Sequence, residues 1–519
     1  MFEMGCVFVT ARVMSMGMFG MRSFMVEVEA DISGGKYRFD MVGLPDTAVS
    51  EAKERVQAAI KNCGYSFPFN HIVINLAPAD VKKEGSVYDL PIFIALLIAA
   101  KQLQINVDEY AFIGELSLSG NVRGVNGVLP MVIEARNAGV KRVFLPFENA
   151  GEASVVDGIE IYPVKNARQL IDFFKGDDNS DMLTRLEVSD AHMNDECENI
   201  LDFSDVLGQH TAKRAMEIAA AGGHNILMSG PPGSGKSMLA KRLPTILPKM
   251  TFEESLETTK IYSIAGELKN RSGLIKNRPF RSPHHTVSPA ALSGGGTVPR
   301  PGELSMAHNG VLFLDELPEF SRVTMEVMRQ PVEDGEVTIS RVAGTLTYPC
   351  SVMLVAAMNP CPCGYLGHPV KDCTCSEGAV QRYQNKISGP LLDRIDIQID
   401  VPAATYDEIS GNGDSEESSE TVRKRVEKTR EIQRKRFEGT GITCNAKMTA
   451  TQVRQFCVLS DEAKAMMKEY YEMLSLSGRT YDKILKVART IADMDGYDII
   501  NSEHIYEALC FKQIIKGGN

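Results

Sequence analysis

The sequence predicts an α/β protein in which two mixed blocks precede a helical C-terminal segment. Strand-like and helix-like runs alternate over residues 1–175 and again over residues 201–405, as is typical of α/β domains. Residues 176–200 are rich in Asp, Asn, Ser and Glu, which favours a solvated linker. A polar, flexible loop and a charged helix are expected over 406–440. The helical pattern then continues over 441–519.

The bulk composition is that of a globular protein with roughly three or four domains. Of its 519 residues, 44% are hydrophobic and 24% are charged. The longest apolar run, residues 90–100, is far shorter than the about 20 residues of a membrane span, so we expect a buried element and no membrane contact. Eleven cysteines, and an N-terminus without a basic leader, favour reduced thiols in a cytoplasmic protein.

The formal net charge of −11 argues against a surface coated in basic residues. It leaves nucleic-acid binding open, because a ring or channel can concentrate Lys and Arg locally while its outer surface stays acidic. Net charge therefore does not decide between classes of partner.

A glycine-rich loop predicts a site for the phosphates of ATP. The loop follows the apolar run 225–229 and leads into the helix-like run 238–242, which is the context that a P-loop requires. Its glycines let backbone N–H groups turn toward the β-phosphate. Lys236 is expected to bridge the β- and γ-phosphates, and Ser237 to bind Mg²⁺. The loop residues are Gly230, Pro231, Pro232, Gly233, Ser234, Gly235, Lys236 and Ser237.

Two further apolar runs end in polar residues that suit the same site. Residues 310–314 are followed by Asp315, expected near the Mg²⁺, and Glu316, expected to polarise the attacking water. Residues 351–358 are followed by Asn359, whose amide suits the orientation of that water. Taken alone, an Asn before a Pro is more typical of a turn.

These motifs resemble the AAA+ ATPases of the branch that contains magnesium chelatase subunits and MCM helicases, and above all the ComM/YifB family of magnesium chelatase-like proteins. The resemblance spans residues from about 28 to 512. The other segments that carry it are 278–286, 302–310, 359–364, 388–396 and 488–493. It implies a P-loop αβα core with a helical C-terminal lid, and ATP with Mg²⁺ as the bound groups.

The resemblance also implies functional arginines and an assembly. Arg394 is similar to the arginine finger that reaches the γ-phosphate of a neighbouring subunit, and Arg479 is similar to the sensor-2 arginine of the lid. The alternative for each is an ordinary surface arginine. A finger that acts in trans requires a homo-oligomer, by resemblance a hexamer.

For the function, the resemblance implies a helicase that moves single-stranded or branched DNA, with recombination or competence proteins as partners. The alternative is a chelatase-type ATPase that remodels a protein partner for metal insertion. A non-enzymatic scaffold is disfavoured by the intact pair of nucleotide motifs.

An insertion between Lys236 and Asp315 is a candidate DNA contact. It contains Arg278, Arg281, His284, His285 and the glycines 294–296. These residues suit a pore loop that grips a phosphate backbone, and they suit an ordinary surface hairpin equally well. Residues 335–346 predict a second hairpin, in which Arg341 is a candidate to face DNA.

The first block resembles the Lon protease domain, a ribosomal S5 domain 2-like fold. The segments that carry this resemblance are 114–120 and 125–127. Lon needs a serine nucleophile and a lysine base close enough to activate it. The positions that align with this dyad hold Tyr88, Leu129 and Met131, and the nearby Ser86 has no lysine in the second motif. We expect a binding or assembly platform and no protease.

Four cysteines within 15 residues form a candidate metal site. They are Cys361, Cys363, Cys373 and Cys375. Four thiolates can hold a tetrahedral Zn²⁺ that stabilises an otherwise irregular loop. The two C-x-C pairs are tighter than the usual C-x₂-C spacing, so a set of reduced, partly buried cysteines is an equally good interpretation.

Overall fold

The structure is a computed structural model, and it confirms the α/β prediction. The residues that it describes are 10–176, 183–186, 201–268, 273–296, 300–341, 344–368, 370–403 and 416–512. Most of the linker predicted at 176–200, and residues 406–415 of the predicted flexible loop, lie outside this set. Among the described residues, no helix combines the length and the apolar character that a membrane crossing requires.

The chain forms two compact units, each with many contacts among its own residues. The first contains the chain up to Asp195 together with Ser255–Ile275 and Ser340–Thr347. The second contains Glu196–Glu254, Lys276–Ile339 and Tyr348–Asn519. The segments 255–275 and 340–347, which the sequence placed in the nucleotide block, therefore group with the first unit. The five-segment division otherwise stays a prediction.

The N-terminal elements build a mixed sheet with helices. The strands are β1 (Ala11–Phe19), β2 (Arg22–Ser33), β3 (Arg38–Val42), β4 (His71–Ala77), β5 (Tyr110–Phe112), β6 (Glu115–Leu116), β7 (Val122–Arg123), β8 (Arg142–Pro146) and β9 (Glu160–Val164). The helices are α1 (Thr47–Ser50), α2 (Ala52–Asn62), α3 (Asp89–Ala99), α4 (Val128–Asn137), α5 (Ala150–Ala153) and α6 (Ala167–Lys175). The sheet order is β3-β4-β2-β1-β5-β8-β9.

The longest apolar run of the sequence lies in the core of this first unit. It forms α3, in which every residue from Asp89 to Leu97 is buried. The helix packs against β1 and β2, whose pairing is antiparallel from Ala11 opposite Ala30 to Phe19 opposite Arg22. The prediction of a buried element at 90–100 is confirmed.

The remaining elements run from 210 to 510. The strands are β10 (Ile226–Ser229), β11 (Phe280–Arg281), β12 (Gly294–Gly295), β13 (Arg300–Pro301), β14 (Val311–Leu314), β15 (Glu336–Arg341), β16 (Gly344–Pro349), β17 (Met353–Met358) and β18 (Ile397–Asp400). The helices are α7 (His210–Gly222), α8 (Lys236–Ile246), α9 (Phe252–Ala265), α10 (Pro289–Ser293), α11 (Glu303–Met306), α12 (Arg322–Asp334), α13 (Glu377–Gln384), α14 (Gly389–Leu392), α15 (Ser419–Arg436), α16 (Ala450–Phe456), α17 (Asp461–Met473), α18 (Gly478–Asp495) and α19 (Ser502–Cys510).

A parallel five-stranded sheet forms the centre of the second unit. Its order is β11-β14-β17-β10-β18, and each neighbouring pair is parallel. All residues of β10, β14 and β17 are buried, as expected when helices cover both faces of a parallel sheet. The carboxyl ends of these three neighbouring strands lie side by side, so the residues that follow them are brought together.

A buried charge network stabilises the C-terminal helices. Arg489 of α18 is only 1% exposed, and its Nε donates to Asp493 Oδ1 at 3.0 Å. Arg436 at the end of α15 donates to Asp493 Oδ2 at 2.7 Å. The segment 488–493, which carried part of the family resemblance, therefore has a structural role in joining α15 to α18.

Candidate active site

The P-loop connects β10 to α8 and depends on glycine at several positions. Gly233 and Gly235 adopt positive φ values of 79° and 90°, a backbone region that other residues rarely enter. A Cβ on Gly230 would lie 2.2 Å from the Val401 carbonyl oxygen. Helix α8 begins at Lys236, so its free N–H groups and its dipole favour an anion at this loop. This is the strand, loop and helix arrangement predicted from the sequence.

The Lys236 ammonium lies within the curve of the loop. Its Nζ donates to the carbonyl oxygens of Gly230 at 2.7 Å and Pro231 at 2.8 Å. Asn359 Oδ1, at the end of β17, lies 3.4 Å away. Burial lowers the pKa of Lys236, and the nearby carboxylates of Asp315, Asp400 and Glu316 partly oppose this shift.

Ser237 and Asp315 present oxygen atoms to one another across the site. The Ser237 hydroxyl donates to Asp315 Oδ2 at 2.7 Å. The other oxygen, Asp315 Oδ1, accepts the Glu316 N–H at 3.0 Å. Hydroxyl and carboxylate oxygens are hard ligands of the kind that Mg²⁺ prefers, and Mg²⁺ is usually held by one or two such groups besides phosphate and water. The donor set therefore fits the expected magnesium ion.

Glu316 differs from the buried strand that precedes it. Its backbone is left-handed, with φ of 52°, a conformation that costs a non-glycine residue energy and is found at functional sites. Its side chain is 55% exposed. His285 Nδ1 lies 3.7 Å from Glu316 Oε2, because β11, which precedes this histidine, neighbours β14 in the sheet. The sequence analysis placed His285 in the insertion and missed this contact, which needs the strand order.

Asn359 is fixed from several directions. Its backbone N–H donates to the hydroxyl of Tyr383 on α13. Burial raises the pKa of Tyr383 to about 12, so the hydroxyl stays protonated. Gly364 approaches Asn359 from the following loop, where a Cβ would lie 3.9 Å from Asn359 Cγ. The structure thus brings Asn359 together with Lys236, Ser237, Asp315 and Glu316.

The two predicted arginines lie elsewhere, with no hydrogen bond to the P-loop among the described contacts. The Arg394 side chain is 15% exposed, and its Nε donates to the Arg329 carbonyl oxygen at 2.7 Å. It also donates to Glu333 near the end of α12. Arg479 is exposed in the first turn of α18, after the N-cap Ser477, and no hydrogen bond or ion pair of its guanidinium occurs among the described residues.

Arg278, one of the candidate DNA contacts of the insertion, is buried and paired in the structure. Its guanidinium donates to the carbonyl oxygens of Pro248 at 2.6 Å and Asn309 at 2.7 Å, and to Glu254 at 2.9 Å. Burial lowers the pKa of Arg278, which is consistent with a structural position. Arg281 forms a paired contact with Glu303 at 2.6 and 2.7 Å. Sequence reasoning treated both as free charges because burial depends on the tertiary fold.

The predicted glycine loop and the second hairpin are both antiparallel pairs. Gly294 lies opposite Pro301 and Gly295 opposite Arg300, and a Cβ on Gly294 would lie 2.5 Å from the Arg300 carbonyl oxygen. Close backbone approach therefore requires glycine at 294, and such a pair is compatible with both the pore-loop and the surface-hairpin interpretation. The second hairpin, β15 with β16, is confirmed, and the Arg341 side chain lies outside the described residues.

The four predicted cysteines form one cluster. Their sulfur atoms all lie within 4.8 Å of one another. Cys361 Sγ lies 3.3 Å from Cys363 Sγ and 3.6 Å from Cys373 Sγ. The backbone N–H groups of Tyr365 and Thr374 lower the pKa of Cys363 to about 6, whereas burial and the neighbouring sulfur atoms raise the pKa of Cys373 to about 12.

Three models of the magnesium chelatase family match this chain. The model "Magnesium chelatase, subunit ChlI" matches residues 202–409. "Subunit ChlI of Mg-chelatase" matches residues 28–149, and "Magnesium chelatase, subunit ChlI C-terminal" matches residues 416–512. The match over residues 202–409 contains the P-loop, Asp315, Glu316 and Asn359.

Two similar proteins span nearly the whole chain, and a third is similar over a shorter part. Competence protein ComM of Haemophilus influenzae is 42% identical over 508 residues, covering 98% of both chains. The protein YifB of Escherichia coli is 43% identical over 496 residues, covering 95% of both. The magnesium-chelatase 67 kDa subunit of Chlorobaculum parvum is 29% identical over 168 residues, which is 31% of this chain and 24% of that protein.

The family matches support an ATPase that binds ATP and Mg²⁺. The contact of the P-loop residue Ser237 with Asp315, at the end of a strand of the parallel sheet, is consistent with this activity. The chain belongs to the ComM/YifB family of magnesium chelatase-like AAA+ proteins.

Proposed function

We propose that this ATPase is one subunit of a ring-shaped helicase or translocase that acts on single-stranded or branched DNA. Its work would be branch migration during transformation or recombination, in the cytoplasm and beside competence or recombination proteins. The observation that carries the proposal is the 42% identity to a competence protein over 98% of both chains. A similarity of that extent covers nearly all of the chain.

The proposed chemistry assigns one task to each residue at the three strand ends. Lys236 would leave the loop carbonyls for the β- and γ-phosphates, since a buried ammonium gains by meeting an anion. Ser237 and Asp315 would hold Mg²⁺, which supplies charge neutralisation on the phosphates when bound. Glu316, exposed at the strand end, would accept the proton of the attacking water. Asn359 would orient that water from the neighbouring strand.

Arg394 and Arg479 would complete the site from other positions. We propose Arg394 as the finger that reaches the γ-phosphate bound by a neighbouring subunit. The Arg329 carbonyl fixes the direction of its guanidinium, and the half-exposed Glu333 is a partner that a phosphate can replace. Arg479 would act from the lid as the sensor-2 arginine. Because a finger that acts in trans belongs to a second chain, the proposal requires an oligomer, and we propose a hexamer.

We propose that the Lon-like domain is a binding or assembly platform without protease activity. Leu129 and Met131, at the positions that align with the dyad lysine, are buried in α4. The Ser86 hydroxyl donates to the carboxylate of Glu115. A glutamate that accepts this hydrogen bond does not replace the lysine base of Lon, so the serine–lysine chemistry is not reproduced.

A chelatase-type remodeller is the second candidate. It is favoured by the 29% identity to a magnesium-chelatase subunit, although this similarity covers only 31% of the chain. Both candidates use the same nucleotide site, so the stimulating partner distinguishes them.

The discriminating experiment measures steady-state ATP hydrolysis by the full chain without DNA, with single-stranded DNA and with a branched junction. A DNA motor should be stimulated by DNA, and its stimulation should fall with salt as phosphate contacts are screened. Hydrolysis that is indifferent to all DNA forms would reject the DNA proposal. Stimulation by a metal-inserting partner protein alone would support the second candidate.

A further inference from the structure

We infer that one zinc ion, bound by Cys361, Cys363, Cys373 and Cys375, holds Asn359 and the P-loop in the geometry that nucleotide binding and hydrolysis need. The inference adds a metal site and a control of the ATPase to the proposed function, and its second part rests on the roles proposed above for Asn359 and Lys236.

The sulfur positions match one tetrahedral ion. Zinc binds thiolate sulfur at about 2.3 Å, which places any two sulfurs of a tetrahedron about 3.8 Å apart. The sulfur of Cys363 lies 3.6 Å from that of Cys373 and 3.3 Å from that of Cys361. All four sulfurs lie within 4.8 Å of one another, and the cysteines are free thiols. Four sulfur ligands leave no open position, which is the arrangement of a structural and not of a catalytic zinc site.

The cluster begins two residues after Asn359 and ends two residues before α13. The Pro360 carbonyl oxygen accepts a hydrogen bond of 3.1 Å from Gln384 Nε2 on this helix. Tyr383 of the same helix accepts the backbone N–H of Asn359. A metal that joins Cys361 to Cys375 therefore closes the loop between β17 and α13, the two elements that fix Asn359.

The same loop also contacts the P-loop. Gly364 has φ of 83°, and its N–H donates to the Cys361 carbonyl oxygen at 3.0 Å. A Cβ at this position would lie 2.6 Å from Cδ and 2.8 Å from Cγ of Pro232. The turn inside the metal site thus packs its backbone directly against the middle of the P-loop. Sixteen residues, 359–374, lie between the end of β17 and the last ligand, and a bound metal would restrict the conformations open to this segment.

The first test is elemental analysis of the full chain purified without chelators. About one zinc per chain is expected, and the double variant Cys363→Ser/Cys373→Ser should lose it. Cys510→Ser, which removes an exposed cysteine on α19, is the matched control and should keep the metal. Metal-free wild type with four reactive thiols would overturn the inference. One iron per chain in place of zinc would overturn the zinc assignment.

The second test removes zinc from the wild type with a thiol reagent and a chelator, and then restores it. Nucleotide affinity, ATPase kinetics and the circular dichroism spectrum are measured in each state. Zinc loss should reduce kcat/KM for ATP about 10–100-fold with the spectrum preserved, and added zinc should restore it. Unchanged affinity and kinetics after complete zinc release would overturn the role of the metal.

Gly364→Ala tests the contact itself. This variant should retain zinc yet weaken nucleotide binding, because its methyl group must displace Pro232. Full zinc content with wild-type affinity and kinetics would show that the contact does not support the site. If the zinc-loaded wild type binds nucleotide without hydrolysing it, the residue roles proposed for ATP hydrolysis are refuted. The inference about zinc would still be tested, because nucleotide affinity can be compared with and without the metal.

Discussion

The Ser237 hydroxyl donates a 2.7 Å hydrogen bond to Asp315 Oδ2, which joins the first turn of α8 to the end of β14. Two candidate oxygen ligands from distant parts of the sequence are thereby already adjacent. If both bind the same Mg²⁺, Ser237→Ala and Asp315→Asn should each raise the Mg²⁺ concentration for half-maximal ATPase by about tenfold or more. The double variant should cost less than the sum of the two free energies. A titration of ATPase activity with Mg²⁺ measures these effects. Strictly additive free-energy changes would show that Ser237 and Asp315 do not bind the same ion.

Glu316→Gln should bind ATP and fail to hydrolyse it. Removal of a general base lowers the rate about 10²–10⁴-fold, while Lys236 and Asp315 are untouched. Lys236→Ala, in contrast, should lose nucleotide affinity, since it removes the cation that the P-loop surrounds. Fluorescent-nucleotide binding and phosphate release measured on both variants separate the two defects. Near-normal turnover by Glu316→Gln would refute its assignment as the base.

Arg394→Ala should be inactive alone and regain activity when mixed with Lys236→Ala subunits. One variant keeps an intact P-loop and the other keeps an intact finger, so a mixed ring contains complete sites. ATPase of the mixture, with assembly checked by light scattering, is the measurement. Arg382→Ala, on the exposed face of α13, serves as the arginine control. Mixed rings that assemble and stay inactive would argue against a finger in trans.

Arg278→Met should destabilise the protein and leave the DNA-binding surface unaltered. The substitution removes a buried cation from Glu254 and from two carbonyl oxygens, at a cost of about 3 kcal/mol in the free energy of unfolding. Arg281→Met breaks a partly exposed pair and should cost about 1 kcal/mol or less. Urea unfolding gives both values. If the folded Arg278→Met variant shows a flatter salt dependence of DNA binding, Arg278 contacts DNA and this account of its role is contradicted.

The nucleotide site was predictable because its signals are local. The P-loop, Asp315 and Glu316 each follow a continuous apolar run, and a parallel sheet buries such runs and aligns their ends. The burial of Arg278 was not predictable for the opposite reason, since its three acceptors come from residues 24 to 31 positions away. The contact between His285 and Glu316 needs the order of β11 and β14, which no local pattern specifies. The approach of Gly364 to Pro232 is likewise a product of the tertiary fold.

The central claim is that ATP hydrolysis at Glu316 drives movement of DNA. The most direct test follows a labelled branched junction in the presence of the full chain, with ATP or a non-hydrolysable analogue. We predict that wild type moves the branch point only with ATP, and that Glu316→Gln binds the junction without moving it. Wild type that hydrolyses ATP at full rate and leaves the branch point in place would contradict the account.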